Sequence, residues 1–218
     1  MKNFIDTNIA LGYSLNCDKM HETCLEFISN NEDIFWSNNV KQEFQKKYEQ
    51  IFQLIHNFML MTSSIVNTIQ KSFINYYSFE KFILDNTKDS ALDIYKKTKI
   101  IEFFWENNNI NYNISPLETL IRFNQFLANY DYSHDSRKKE LENLIELYDC
   151  GLNNYLKYPK LLKKLIKSGV HNPNYKIVLD AHDFGFTSDV CFITTDLNLI
   201  QLIKDCKLLN IMEFKTCT

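Results

Sequence analysis

The chain has 218 residues and a formal net charge of −3, which excludes a wholesale nucleic-acid coat while leaving room for a local basic patch. Its 45% hydrophobic and 14% aromatic content suits one large domain, or one and a half, with a sizeable core. The six cysteines include no C-x-x-C pair and no His at zinc-finger spacing, so they predict a reduced, cytoplasmic setting rather than a metal or disulfide framework.

Residues 2–9 read as a first strand and turn: the apolar pair Phe4-Ile5 runs into Asp6, Thr7 and Asn8. An acid there caps a following helix. It also lies at the carboxyl edge of a sheet, where ligands bind in open α/β folds. From Ala10 to Asn30 the pattern is helical, with Met20, Cys24, Phe27 and Ile28 at spacings of three and four and His21 on the polar face. Ile34 to Ser37 reads as a second strand, and Asn38 or Asn39 can cap the next helix. Glu43 lies near the start of that helix, where the dipole favours an acid whatever its function. An apolar stripe continues to about residue 72.

The stretch from about 50 to 170 carries almost only helical signals. Ser78 can cap a helix beginning Phe79-Glu80-Lys81, residues 89–105 have helical periodicity, and Ser115-Pro116-Leu117-Glu118 is a capping box with proline at the first helical position. Ser133 or Asp135 can start a further helix running through Leu147 and Tyr148 and stopping near Gly151. Pro159 opens another, closed by Ser168-Gly169. No acid occurs between Asp149 and Asp180, and spacing puts Lys157, Lys160, Lys164 and Lys167 near one helical stripe. That stripe is either a solvated face or a phosphate-contacting surface for nucleic acid.

The α/β pattern then returns. Asn172-Pro173 starts a helix carrying Asp180 and Asp183, which Gly185 ends. Val190 to Thr194 is a near-continuous apolar run, as in a parallel strand buried on both faces, and it finishes in Thr195-Asp196. A helix from Leu197 to Lys204 and a strand from Leu208 to Phe214 complete the reading. No apolar stretch approaches the roughly 18 residues that span a bilayer. The N-terminus shows no leader pattern before Asp6.

If the first and penultimate strands are parallel neighbours, Asp6 and Asp196 share one edge, Glu43 points at it, and Asp180 sits on the adjoining helix. Several carboxylates at one spot need a counter-charge. Oxygen-only donors favour Mg²⁺ or Mn²⁺, which activate water for displacement at phosphorus.

With Asp6-Thr7-Asn8, Glu43 in SNNVKQEF, Asp180 in VLDAHDF and Thr194-x-Asp196, the chain resembles the PIN-domain nucleases over roughly 1–50 and 170–218. The resemblance implies a Rossmann-like three-layer α/β/α fold with a central parallel sheet, residues 51–169 being a large helical insertion. It implies Mg²⁺- or Mn²⁺-dependent endonucleolytic cleavage of RNA, less often of structured DNA. Asp6, Glu43, Asp180 and Asp196 would be the catalytic and metal-binding acids, with Thr7, Asn8 and Thr194 orienting carboxylates or substrate. The interval from Asp180 to Asp196 is shorter than the family pattern, so Asp183 could replace or supplement Asp180. The size of the insertion weighs against a compact toxin-type role and leaves a substrate clamp, a homodimer contact or a protein-partner surface open. The competing readings are a catalytically inactive RNA-binding or scaffold protein and, ranked lower, a flavodoxin-like or response-regulator-like domain with an acidic Mg²⁺ pocket.

Overall fold

Three apolar strands that need burial on both faces set the architecture. The computed structural model describes residues 1–69, 72, 73, 75–108, 114–204, 206 and 209–217. Strands β1 (Lys2–Ile5), β2 (Ile34–Ser37), β3 (Glu146–Tyr148), β4 (Val190–Thr194) and β5 (Glu213–Thr216) form one all-parallel sheet in the order β3-β2-β1-β4-β5. Parallel neighbours require crossover connections, and helices supply them: α1 (Thr7–Ser14) and α2 (His21–Asn30) before β2, α8 (Asn174–Phe184) before β4, and α9 (Leu197–Lys204) before β5. The sheet flanked by helices is that of a Rossmann-like α/β fold.

The chain divides into two units. The α/β unit comprises Met1–Asn16, Met20–Lys47 and Arg137–Thr218. Every residue of β2 and β4 is buried, and β1 pairs Phe4 with Phe192 and Ile5 with Ile193 across to β4. Phe4, Phe192, Phe184 and Phe35 pack ring against ring around this register. Each fully buried side chain of this size stabilises by about 1.5–3 kcal/mol. The edge strands β3 and β5 are half exposed, as flanking strands of a sheet this short can be.

The helical unit comprises Cys17–Lys19 and Tyr48–Ser136. It holds α4 (Tyr76–Asn86), α5 (Ile94–Asn107), most of α3 (Asn38–Val66) and much of α6 (Pro116–Leu144). Its core is a run of rings, with Phe104 against Phe79, Phe123 and Phe126. Buried Lys97 donates to the Thr87 and Ser90 carbonyls, 2.9 and 3.0 Å away, just beyond the end of α4. A cation there is favoured by the helix dipole.

The strand at Ile34–Ser37, that at Val190–Thr194 and the helix at Leu197–Lys204 lie where the pattern puts them. Other boundaries differ. The helical stretch from Ala10 to Asn30 is two helices broken at 15–20, because α2 folds back on α1: a Cβ on Gly12 would stand 2.6 Å from Cys24 Sγ. His21 is buried rather than on a polar face, its Nδ1 2.8 Å from the Gly12 carbonyl. Helix α3 ends at Val66, short of 72; residues 70 and 71 lie outside the described residues. Asn75, not Ser78, caps α4, and Ser78 completes the capping box. Helix α5 begins behind Asp93 rather than at 89. No helix starts at Ser133 or Asp135: α6 is continuous, and the Ser133 hydroxyl donates to the Tyr130 carbonyl within it. Leu147 and Tyr148 belong to β3 because Glu146, Leu147 and Tyr148 pair with Phe35, Trp36 and Ser37. Residues 137–169 therefore belong with the sheet, not with a 51–169 insertion. The last strand is Glu213–Thr216 rather than 208–214; Leu208 lies outside the described residues.

Gly185 follows α8 with its Cα against the chain at Asn210, where a Cβ would meet the Asn210 carbonyl oxygen at 1.7 Å. Gly185→Ala must displace backbone, at a cost of about 1–3 kcal/mol or more. The expected fall in Tm is roughly 5 °C. Gly151→Ala, at φ +76 but in open space, should lose less, because only left-handed strain of about 1 kcal/mol opposes it. Thermal unfolding of both variants checks the order.

Candidate active site

Asp6 follows β1 and caps α1, and its backbone N–H continues the sheet pairing to the Ile193 carbonyl at 2.9 Å. The sheet order reverses between β1 and β4, the position at which open α/β sheets form a ligand crevice. The Asp6 side chain is 3% exposed and held from several sides. Its Oδ1 accepts from Thr7 N at 2.6 Å, and its Oδ2 accepts from Thr194 Oγ1 at 2.7 Å and Asn8 Nδ2 at 3.4 Å. Thr194 Oγ1 accepts in turn from Asp196 N at 3.0 Å, and Asp196 Oδ1 accepts from Leu199 N at 2.9 Å at the start of α9. On the other side Thr7 Oγ1 donates to Glu43 Oε2 at 2.8 Å. Thr7, through its N–H and its hydroxyl, thus links Asp6 to Glu43, and the Thr194 hydroxyl links Asp6 to the Asp196 turn.

Burial pushes the Asp6 carboxyl up to about 6; the Thr194 and Thr7 donors oppose this, the Glu43 charge adds to it, and Lys47 opposes it. Lys47 Nζ stands 2.6 Å from Glu43 Oε1, one turn along α3. The approach is an ion pair without hydrogen-bond alignment, so Glu43 Oε1 is buried without a hydrogen-bond partner.

The other two acids are held elsewhere. Asp180 is fully buried, with Asn39 Nδ2 at 2.9 Å from Oδ2 and Asn154 Nδ2 at 3.2 Å from Oδ1. Burial raises its carboxyl above the usual range despite the donors Ser37, Asn39, Asn154 and Cys150. Asp183 accepts from the Tyr148 hydroxyl at 2.6 Å and from the Tyr158 hydroxyl, with Lys157 Nζ at 3.9 Å. Burial works to raise Asp183, but the two phenols and Lys157 outweigh it and hold the carboxyl low.

Among the described residues, no three His, Cys, Asp or Glu side chains are placed to hold a metal together. Comparison with protein-family models, curated proteins and solved structures finds no match. Among the described residues, no helix is long and apolar enough to cross a membrane. Of the candidates, the fold brings together Asp6, Thr7, Asn8, Glu43, Thr194 and, through its backbone, Asp196; Asp180 and Asp183 sit in separate hydrogen-bond systems. Of the four lysines, Lys157 lies on a 3-10 turn (Asn154–Lys157), and Lys160, Lys164 and Lys167 lie on α7 (Pro159–Lys167). Lys47, Asn154 and Tyr158 escape sequence reading, which takes Asn39 only as a helix cap and Tyr148 only as a helical residue. Lys47, at i+4 from Glu43 on one helix, is the one with a local signal.

The Asp6 environment carries a pH signature. A carboxyl whose folded pKa exceeds its unfolded value of 3.8 costs stability when ionised in both states, above about pH 6. That cost is relieved as pH falls from about 6 to 3.8. Without divalent metal, Asp6→Asn should therefore raise stability by about 1–3 kcal/mol at pH 8. The gain should vanish by about pH 4. Denaturant unfolding in EDTA at both pH values is the measurement, and a gain that is larger at pH 4 contradicts it.

Proposed function

We propose that the chain is a PIN-like, Mg²⁺- or Mn²⁺-dependent endonuclease acting on RNA. The observation that carries the reading is the pair Asp6 and Glu43, linked through Thr7, whose N–H donates to Asp6 and whose hydroxyl donates to Glu43, at the switch between β1 and β4. Oxygen-only donors, two carboxylates and a buried Glu43 Oε1 without a hydrogen-bond partner suit a hard divalent cation. Mg²⁺ commonly takes one or two carboxylates and fills its shell with water and phosphate oxygens, so a four-acid cage is not needed. Asp6 and Glu43 would hold the ion, with Asp196 beside them.

A bound ion of this kind supplies an activated water and charge stabilisation at phosphorus. The chain's own residues do the rest. Thr7 N, Thr194 Oγ1 and Asn8 Nδ2 fix the Asp6 oxygens so that they need not reorganise. Thr7 Oγ1 sets the rotamer of Glu43, and Leu199 N anchors Asp196 at the mouth of α9. Lys47 partly neutralises Glu43 in the absence of metal and remains half exposed beside it.

A second reading, an RNA-binding protein that does not cut, is favoured by the lack of a three-acid metal group among the described residues. Incubation of a structured RNA pool with Mg²⁺, Mn²⁺ or EDTA separates the two. Metal-dependent cutting is expected, with Asp6→Asn and Glu43→Gln slower by about a hundredfold or more, since even residues behind metal ligands cost 10–100-fold. RNA binding without turnover in any metal would establish the second reading. Lys47→Met should tighten Mn²⁺ binding, because a competing cation is removed from Glu43; isothermal titration calorimetry reads this directly.

A further inference from the structure

The α/β unit carries a second chemical feature, whose described residues share no hydrogen bond with Asp6 or Glu43. A surface pocket of about 390 Å³ is lined by Lys157, Tyr158, Pro159, Lys160, Leu161 and His182. That is within the usual range for small-ligand sites. Two of the lining residues, Tyr158 and His182, are rings, and both pack against Phe186 beside the pocket. Tyr158 and His182 pack edge to face at 4.9 Å, His182 and Phe186 do so at 5.0 Å, and Tyr158 and Phe186 are nearly parallel at 6.3 Å. Phe186 is 64% exposed, a large apolar ring offered to solvent.

The rings are held in place rather than loosely packed. The Tyr158 hydroxyl donates to Asp183, and burial together with that bond keeps the phenol protonated. His182 is 6% exposed, and its Nδ1 accepts from Asn210 N at 2.7 Å, so Nε2 carries the ring proton. Burial lowers its pKa, with Asp183 opposing, which keeps the imidazole neutral at neutral pH. Around this apolar, aromatic floor cations predominate: between Asp149 and Asp180 there are six lysines and no acid, with Asp183, bonded to Tyr158 and 3.9 Å from Lys157 Nζ, as the adjoining carboxylate. Lys157 and Lys160 line the pocket, and Lys163, Lys164 and Lys167 follow along α7.

We propose that this pocket binds an unpaired nucleobase of a single-stranded nucleic acid, with the flanking phosphates on Lys157, Lys160 and the α7 lysines. The proposal names the substrate class of the nuclease reading and rests on it only for biological sense. Bases stack on aromatic faces irrespective of sequence, and lysines track the backbone electrostatically. A duplex keeps its bases stacked inside and cannot deliver one to Phe186 and Tyr158.

The test is fluorescence anisotropy with a labelled 12-nucleotide RNA, its DNA counterpart and the matching RNA duplex, all in EDTA so that nothing is cut. The single strand should bind at least about fivefold tighter than the duplex. Phe186→Ala should weaken single-strand binding by about tenfold, while Phe186→Trp restores it. Lys160→Glu combined with Lys164→Glu should flatten the dependence of log Kd on log salt. Equal binding of the DNA strand assigns recognition to base and phosphate alone; tighter binding of RNA adds the 2′-hydroxyl; either supports the site. Phe186→Ala binding as tightly as wild type, or the duplex binding as tightly as the single strand, overturns it. The exposure of Phe186 makes these variants tolerable to the fold, and circular dichroism verifies that. Cleavage without a Phe186 effect refutes the pocket alone, and a Phe186 effect without metal-dependent cleavage refutes the nuclease reading alone.

Discussion

A carboxylate buried at the end of a central strand must be supplied with donors, and the α/β unit is arranged to supply them. Burial of an unpaired polar group costs several kcal/mol, and of a charge far more. Asp6 answers that cost with the N–H of the helix it caps, the hydroxyl of Thr194 and the amide of Asn8. Because Thr194 ends β4, the bond also ties the two central strands together at their carboxyl ends. The same hydroxyl accepts from Asp196 N, so the turn into α9 depends on the position of β1. Thr7 extends the linkage to Glu43 on α3. One satisfied carboxylate therefore locks the ends of β1 and β4 and the starts of α1 and α9.

Asp180 and Asp183 illustrate how strongly surroundings govern chemistry within one turn of helix. They stand three residues apart on α8, yet burial drives Asp180 up while two phenols and a lysine hold Asp183 down. Asp180 works as a structural keystone, tying Asn39 at the start of α3 to Asn154 on the turn after β3. Asp183 anchors Tyr148 and Tyr158 and so fixes the rings of the basic surface. The acidic character that makes both residues look like metal ligands is spent on holding the sheet edge at β2 and β3 together with α7 and α8.

The helical unit is built on different physics. Its core is a chain of Phe rings at centroid distances of 4.9–5.5 Å, and its buried cation, Lys97, is satisfied by backbone carbonyls rather than by an acid. Long helices that begin in one unit and end in the other, α3 and α6, carry the chain between the two.

Local pattern was enough for β2, β4, α9 and the helix starts at Asp6, Ser115 and Pro159, because burial on both faces, helical periodicity and capping chemistry act over a few residues. The acids at the ends of β1 and β4 were visible for the same reason. Local pattern misled wherever a distant partner decided the outcome. The residues of β3 look helical until they pair with β2, more than a hundred positions earlier; α6 looks broken at Ser133 until that hydroxyl turns back onto its own helix. The sequence determined which residues could serve as strand ends, caps and acids. Only the tertiary structure decided which acids meet, because the hydrogen bond between Thr194 and Asp6 spans 188 residues, and desolvation depends on every element packed around a carboxylate rather than on its neighbours in the chain.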